Sequence, residues 1–335
     1  MRTRIPLALA LVAMTFAAGC GGQSSASSGG SGSKNLTLAA YSTPKEAYAK
    51  LIPAFQKTEA GKGVGFDQSY AASGEQERAV EGGLPADIVA LSLEPDVTKL
   101  VKAGLVDPSW NKAKYDGFVT NSVVTLAVRK GNPKHIKSWD DLLKPGVEVI
   151  TPNPFTSGGA KWNIMAAYGS QLQEGRSDAQ AQDYLKKLLG KVPVLDKSAR
   201  ESLQTFSSGK GDVLISYENE AITAQQKGEK LDYVTPPATL LIQNPDAVVN
   251  KSKNRKAADA FLAFLRTDEA QRIFASKGYR SVNPKLVDAK RFPKPAKLFT
   301  IEKFGGWGKV NDKFFDPTQG AIAKIFQSQG KSTGG

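Results

Sequence analysis

The residues best suited to chemistry lie between Thr151 and Trp162, in TPNPFTSGGAKW, and the chemistry they suit is the holding of an anion. Val147 to Ile150 reads as a strand leading in. Two prolines then force an extended or turning path, because each fixes φ and restricts the residue before it. Ala160 to Leu172 reads as a helix from the spacing of Trp162, Met165, Ala166 and Tyr168. Ser157, Gly158 and Gly159 therefore stand where a strand, a sharp turn and a helix N-terminus meet. The first turn of a helix carries unpaired N–H groups and the positive end of the dipole. Two glycines remove the Cβ atoms that would keep an oxyanion from those groups, and Ser157 adds a hydroxyl donor or a cap. On local pattern alone this is also an ordinary capped helix after a loop.

The elements that must position this turn repeat its character. Leu36 to Ala40, Gly65 to Tyr70, Ala86 to Leu93, Asn121 to Arg129, Val192 to Leu195 and Asp212 to Ser216 read as strands. Helices are predicted from Pro44, from Glu75 to Glu81, Pro95 to Ala103, Ser138 to Leu143, Ser177 to Leu189, from Ser198, and over Lys256 to Leu265 and Glu269 to Ser276. Strands alternating with helices argue for an α/β fold with parallel sheets, whose ligands bind beyond the carboxyl ends of strands. The turns at Ser42, Ser73-Gly74, Ser157-Gly158-Gly159 and Ser198-Ala199 are all small or hydroxyl-bearing. Facing one another, their N–H groups would enclose a tetrahedral oxyanion with no lysine or arginine against it.

Composition narrows the field. A chain of 335 residues suffices for two lobes, and 40% hydrophobic with 23% charged is a soluble globular balance. The formal charge is +13, yet the lysines are scattered without basic runs or aromatic stacking motifs, which argues against nucleic acid. His135 and Cys20 are the sole histidine and cysteine, so an internal disulfide and a His/Cys metal cluster are excluded. No cofactor is implied. His135 follows Pro133 in a turn-like stretch and reads as an exposed loop residue.

Met1 to Gly19 begins with a basic MRTR and continues with an apolar run, Pro6 to Ala18, too short to span a membrane securely. The sequence Ala17-Ala18-Gly19-Cys20 resembles a bacterial lipoprotein signal, which implies cleavage before Cys20 and lipid on its thiol. Residues 20–34 then form a flexible Gly/Ser tether.

VITPNPFTSGGAKWNIMAAYG strongly resembles the corresponding stretch of the sulfate-binding proteins of ABC importers. So do AASGEQ (Ala71 to Gln76), ADIVALSL (Ala86 to Leu93), RKGNPK (Arg129 to Lys134), GDVLISYENEA (Gly211 to Ala221) and FGGW (Phe304 to Trp307). The matches run in order from about Leu36 to Val310. The resemblance implies a two-lobed type II periplasmic-binding-protein fold, each lobe a mostly parallel sheet flanked by helices, with the ligand in the cleft. It places lobe one at 35–122 and 238–310, lobe two at 123–237, and a C-terminal helix with a flexible tail at 311–335. It implies backbone donors to sulfate at Ser42, Ser73, Gly158, Gly159 and Ala199, a hydroxyl donor at Ser157 and a side-chain donor at Tyr217. Arg200 matches an arginine that fixes the lobes through carboxylates. Ser42 stands where aspartate is common, and Tyr217 replaces tryptophan. A phenol can accept as well as donate, which bears on the rejection of protonated phosphate. The implied setting is a monomer, lipid-anchored on the extracytoplasmic face, partnered by a permease pair and ATPase subunits.

Thiosulfate, molybdate or tungstate, and phosphate are the alternative ligands. An enzyme is the alternative class. Ser42-Thr43-Pro44-Lys45 and Ser281-Val282-Asn283 resemble parts of penicillin-binding enzymes, but the tail reads Lys331-Ser332-Thr333-Gly334 in place of the third motif. A Ser-His-Asp hydrolase has only the loop histidine to work with and no G-x-S-x-G.

Overall fold

The computed structural model describes residues 34–333. The leader, Cys20 and the tether up to residue 33 lie outside the described residues. The strands are β1 (Lys34–Tyr41), β2 (Val64–Ala71), β3 (Ile88–Ala90), β4 (Phe118–Arg129), β5 (Val149–Ile150), β6 (Val213–Tyr217), β7 (Leu231–Val234), β8 (Ala238–Val248) and β9 (Lys297–Phe299). The α-helices are α1 (Lys45–Gln56), α2 (Ser73–Glu81), α3 (Glu94–Lys102), α4 (Gly158–Gln173), α5 (Asp178–Gly190), α6 (Ala199–Ser207), α7 (Glu218–Gln226), α8 (Arg255–Leu265), α9 (Asp268–Ser276), α10 (Gly306–Val310) and α11 (Ala321–Ser328).

The strands follow one path, β2-β1-β3-β8-β4-β6-β5, with β7 joined to β4 and β9 to β8. β1 runs parallel to β2 and β3, and β5 parallel to β6. The long strands β4 and β8 run against each other and against their other main neighbours, because they carry the chain out and back. Each serves two sets of partners. β4 pairs with β8 through 118–123, then with β6 and β7 through 124–129. β8 pairs with β4 through 241–245 and with β3 through 246–248. These two strands are the passages between lobes.

Separate apolar clusters build the lobes. Leu36, Tyr48, Phe55, Phe261 and Phe274 gather where α1, α8 and α9 cover one side of β1 to β3, and Val80, Val97 and Leu100 of α2 and α3 cover the other. In the second lobe Trp139, Trp162, Tyr168 and Tyr184 gather around α4 and α5, with Leu203 and Phe206 behind α6. α4 is enclosed on nearly every side, and its buried Asn163 donates to the Ile215 carbonyl at 2.8 Å and to the Thr151 hydroxyl at 3.1 Å.

Two expectations change. Val192 to Leu195 is irregular. Lys191 and Asp196 accept from Val149 and Asn153 at 3.1 and 2.8 Å, but Pro193 between them has no N–H to continue a ladder. The C-terminal segment also belongs elsewhere. Phe299, Ile301, Trp307 and Val310, expected in lobe one, pack in the cluster of α4. Trp307 meets Trp162 edge-on with centroids 4.7 Å apart, and Phe304 and Phe314 meet Tyr168 at 5.7 and 4.7 Å. The expected tail is held as far as Lys331, whose ammonium donates to the carbonyls of Leu189 and Val192. Aromatic side chains spaced along an irregular segment need a surface to bury them, and α4 supplies it.

A Cβ on Gly169 of α4 would stand 2.4 Å from Phe299 and 2.7 Å from Phe304. Gly169→Ala is therefore expected to destabilise the fold by about 1–3 kcal/mol through overpacking. In urea unfolding the midpoint should fall while the slope stays constant.

Candidate functional site

The N-terminus of α4 takes the form the sequence predicts. Ser157 caps it, its Oγ accepting from the Ala160 amide at 3.4 Å. The Ser157 hydroxyl proton is left to donate elsewhere. Gly158 lets this helix start approach the end of β3, since a Cβ there would stand 2.9 Å from Ser92. At Gly159 the protein would tolerate a Cβ, with Ala199, Ser157 and Tyr217 atoms at 3.4–3.5 Å. What such a Cβ would take up is space in front of the amides.

Other helix starts face the same point. Ser73 opens α2, and Gly74 behind it lies against the Thr156 carbonyl. Ser198 caps α6 by accepting from the Glu201 amide at 3.2 Å, leaving Ala199 as the first helical residue. Ser42 follows β1 just before α1. Among the described residues, no acceptor pairs with the amides of Ser73, Gly158, Gly159 or Ala199, as the geometry of a first helical turn dictates.

Between these loops lies a cavity of about 10 Å³, room for a body of about one water. Tyr41, Ser42, Thr43 and Ser73 line it from one lobe; Ser157, Gly159, Ser198, Ala199 and Tyr217 line it from the other. All are buried except Ser42, which is half-buried. No charged side chain is in the lining. The arrangement presents donors to an anion and contains no acid–base pair. His135 is exposed in a turn far along the chain from any of these loops.

The structure thus gathers the cavity-facing candidates Ser42, Ser73, Ser157, Gly159, Ala199 and Tyr217, with Gly158 at the wall beside Ser92. It also separates their roles. The Ser73 hydroxyl is spent within the protein, donating to Asp96 at 2.6 Å and accepting from the Ser92 amide at 2.9 Å. Only its own amide is left for a ligand.

Ser92 is the residue the sequence did not single out. Its carbonyl accepts from Trp162 Nε1 at 2.9 Å and from Asn244 Nδ2 at 3.0 Å. Its hydroxyl lies 2.7 Å from the Tyr217 hydroxyl, and it too lines the cavity. One residue at the end of β3 thereby joins α2, α4, β6 and β8. Its place inside the buried run Ala86 to Leu93, as the one hydroxyl residue there, was a signal available in the sequence. Burial pushes the Tyr217 phenol well above its ordinary pKa, so it stays neutral. Two neutral hydroxyls share one hydrogen bond between them, which leaves one O–H of the pair to point into the cavity.

Arg200, next along from Ala199, joins the lobes. Its guanidinium donates to both oxygens of Glu46 on α1 at 2.6 and 2.8 Å, to Glu220 on α7 at 2.9 Å and to the Thr43 carbonyl at 3.3 Å. Lys227 adds a contact to Glu46. Burial works against the Arg200 cation, but the Glu220 and Glu46 carboxylates outweigh it and its pKa rises. Burial would likewise raise the Glu46 carboxyl; Arg200 and Lys227 overcome it and hold the carboxyl at about 2. The Ser42 turn and the Ala199 amide are fixed relative to each other through this fork.

Residues 36–280 match the family model described as bacterial extracellular solute-binding protein. The chain is 47% identical to the sulfate-binding protein of Synechococcus elongatus, over 94% of this chain and 95% of that one. It is 36% identical to the thiosulfate-binding protein of Pseudomonas aeruginosa, over 84% and 89%. Among solved structures, the sulfate-binding protein SubI of Mycobacterium tuberculosis superposes with a TM-score of 0.83 at 47% identity, covering 84% of this chain and all of that one.

The Arg200 fork gives the fold a pH dependence. Glu46 ionises at about 2 in the folded protein against an ordinary 4.5. Its stabilisation is complete above about 4.5 and is lost as pH falls toward 2. Glu46→Gln should be less stable than the parent at neutral pH, and the difference should shrink on acidification through that window, read from chemical unfolding at a series of pH values.

Proposed function

Because the chain belongs to the bacterial extracellular solute-binding proteins, we propose that it captures sulfate between its lobes and delivers it to a membrane ABC importer. The convergence of unpaired first-turn amides from α2, α4 and α6 on a cavity without charged side chains carries this reading. Sulfate at neutral pH offers only acceptors. Hydrogen phosphate also carries a proton, which a ring of donors leaves unpaired. The ligand oxygens are taken by the amides of Ser42, Ser73, Gly158, Gly159 and Ala199 and by the hydroxyl of Ser157. Tyr217 acts together with Ser92, and the pair contributes one O–H. Thiosulfate is the second ligand to consider, since a relative of 36% identity is named for it.

The relatives are solute-binding proteins, and no covalent chemistry is involved. Lobe one comprises 35–122 and 238–296; lobe two comprises 123–237 and 297–331. Entry of an ion larger than water requires the lobes to part, with β4 and β8 as the hinge. Closure then buries the anion and presents a single face to the permease. Among the described residues, no helix is long and apolar enough to cross a membrane. Attachment to the extracytoplasmic face rests on lipid at Cys20, which a Cys20→Ser variant should abolish, releasing the protein from the membrane fraction.

Thermal melts and calorimetric titration with sulfate, thiosulfate, molybdate and phosphate test the ligand. Sulfate should raise the melting temperature by mass action. Phosphate should bind roughly tenfold to a hundredfold more weakly, the cost of one unpaired buried polar group. Ser157→Ala should weaken sulfate binding by a similar factor, for loss of a hydrogen bond to a charged ligand. Phosphate binding as tight as sulfate would sink the assignment.

A further inference from the structure

Helix α7 belongs to lobe two but turns one face to lobe one. Its Ala221 and Ala224 pack with Leu203 and Phe206 of α6 inside lobe two. Asn219, Thr223 and Gln226 follow the i, i+4, i+7 spacing that lines side chains up on a single face, and this face meets the end of α9 and the 277–280 turn. Thr223 Oγ1 donates to the Lys277 carbonyl at 3.1 Å. Gln226 Nε2 donates to the Ser276 carbonyl at 2.8 Å, and its Oε1 accepts from Lys277 Nζ at 3.4 Å. These carbonyls end a helix, so α9 has no amide of its own to give them. Gly278, at φ 88°, lets the turn lie against α7, since a Cβ there would stand 2.9 Å from Asn219 Cα and from Ile222 Cβ.

The two ends of this seam differ. At the inner end Glu218, the residue after Tyr217, receives a bidentate fork from Arg280. Nε and Nη2 donate to its two carboxylate oxygens at 2.7 and 2.9 Å, and both side chains are buried. The Arg280 backbone exchanges hydrogen bonds of 2.8 and 3.0 Å with Asn121 of β4, just before that strand changes partners. At the outer end Lys227 reaches Glu46 of the Arg200 fork. The seam therefore runs from the hinge strand outward to the fork. Within it Asn219 is 1% exposed, and both polar atoms of its side chain are buried without a partner among the described residues. Leaving a buried amide unpaired costs more than a typical hydrogen bond contributes. Thr223 and Gln226 thus favour the closed seam, and Asn219 opposes it, because water reaches its amide once the seam parts.

We infer that this seam is the latch of the closed form. It pivots on the Arg280–Glu218 pair, Thr223 and Gln226 hold it shut, and Asn219 sets how readily it opens and so how fast a bound anion leaves. Contacts beside the hinge strand move least as the lobes rotate, which keeps the Arg280 fork made while the outer contacts part. The inference rests on the reading above, in which the lobes separate to admit an oxyanion.

The test measures sulfate affinity by calorimetry and sulfate release by stopped-flow tryptophan fluorescence on the full chain. Asn219→Ala removes the unpaired amide and is expected to bind sulfate about fivefold or more tightly and to release it more slowly. Gln226→Ala and Thr223→Val each lose a seam hydrogen bond and are expected to bind about threefold to tenfold more weakly and to release faster. Opposite signs on one helix face are what a merely structural role does not produce. A second measurement needs no ligand. In a Cys20→Ser background, Gln226→Cys and Ser276→Cys are joined by a short thiol crosslinker. The ligand-free protein should then have a smaller radius of gyration in X-ray scattering than before crosslinking. If the parent itself binds no sulfate, the sulfate reading fails and the scattering result alone decides the latch. The latch is overturned if Asn219→Ala binds sulfate no more tightly than the parent, if Gln226→Ala and Thr223→Val bind it undiminished, or if crosslinking leaves the radius unchanged.

Discussion

Taking a doubly charged ion out of water is so unfavourable that every one of its oxygens must meet a donor already in place. In the proposed site that demand falls to peptide dipoles. Helix starts at Ser73, Gly158 and Ala199 face one small cavity, and each brings amides that the helix itself cannot use. Lysine or arginine in the lining would add charge but also flexibility and a permanent desolvation cost. Backbone amides are rigid, and their geometry is set by the helices behind them.

Such a site is only as good as its frame. The frame here is polar and buried. Ser92 accepts from Trp162 and Asn244, donates its amide to Ser73 and pairs with Tyr217. Arg200 draws Glu46, Thr43 and Glu220 together directly behind Ser42 and Ala199. Networks of this kind impose one arrangement, even with Arg200 Nε and Glu220 Oε2 left without a partner. Both cross from one lobe to the other, so they bear on the closed form specifically. The apolar clusters, by contrast, stay largely within each lobe and hold it together whether the cleft is open or shut.

The strands β4 and β8 reconcile rigid lobes with movement between them. Each spends half its length in one set of pairings and half in another. The change of partner, at about Val123 and Val124 in β4, leaves the lobes joined by continuous backbone, with Tyr41 and Leu93 of the first lobe also reaching into the cluster around α4. The same outward and return passages place the ligand loops of both lobes at the carboxyl ends of their strands.

The sequence by itself determined the local chemistry. Small and hydroxyl residues at strand-to-helix turns mark Ser42, Ser73, Ser157 and Ala199, because a helix N-terminus and its cap are readable from adjacent residues. The alternation of strands and helices was legible for the same reason. Tertiary structure alone decided what required distant partners. Ser92 became the centre of the frame only once Trp162, Asn244 and Tyr217 were brought to it. The segment from Lys297 joined α4 because aromatic burial depends on the surface available, which no local pattern encodes. Val192 to Leu195 failed to become a strand, because a run of apolar residues does not reveal whether a neighbouring ladder can tolerate a missing N–H at Pro193. Which groups stand beside one another across the cleft is set by packing between lobes, and physical proximity of that kind is not written in the spacing of residues along the chain.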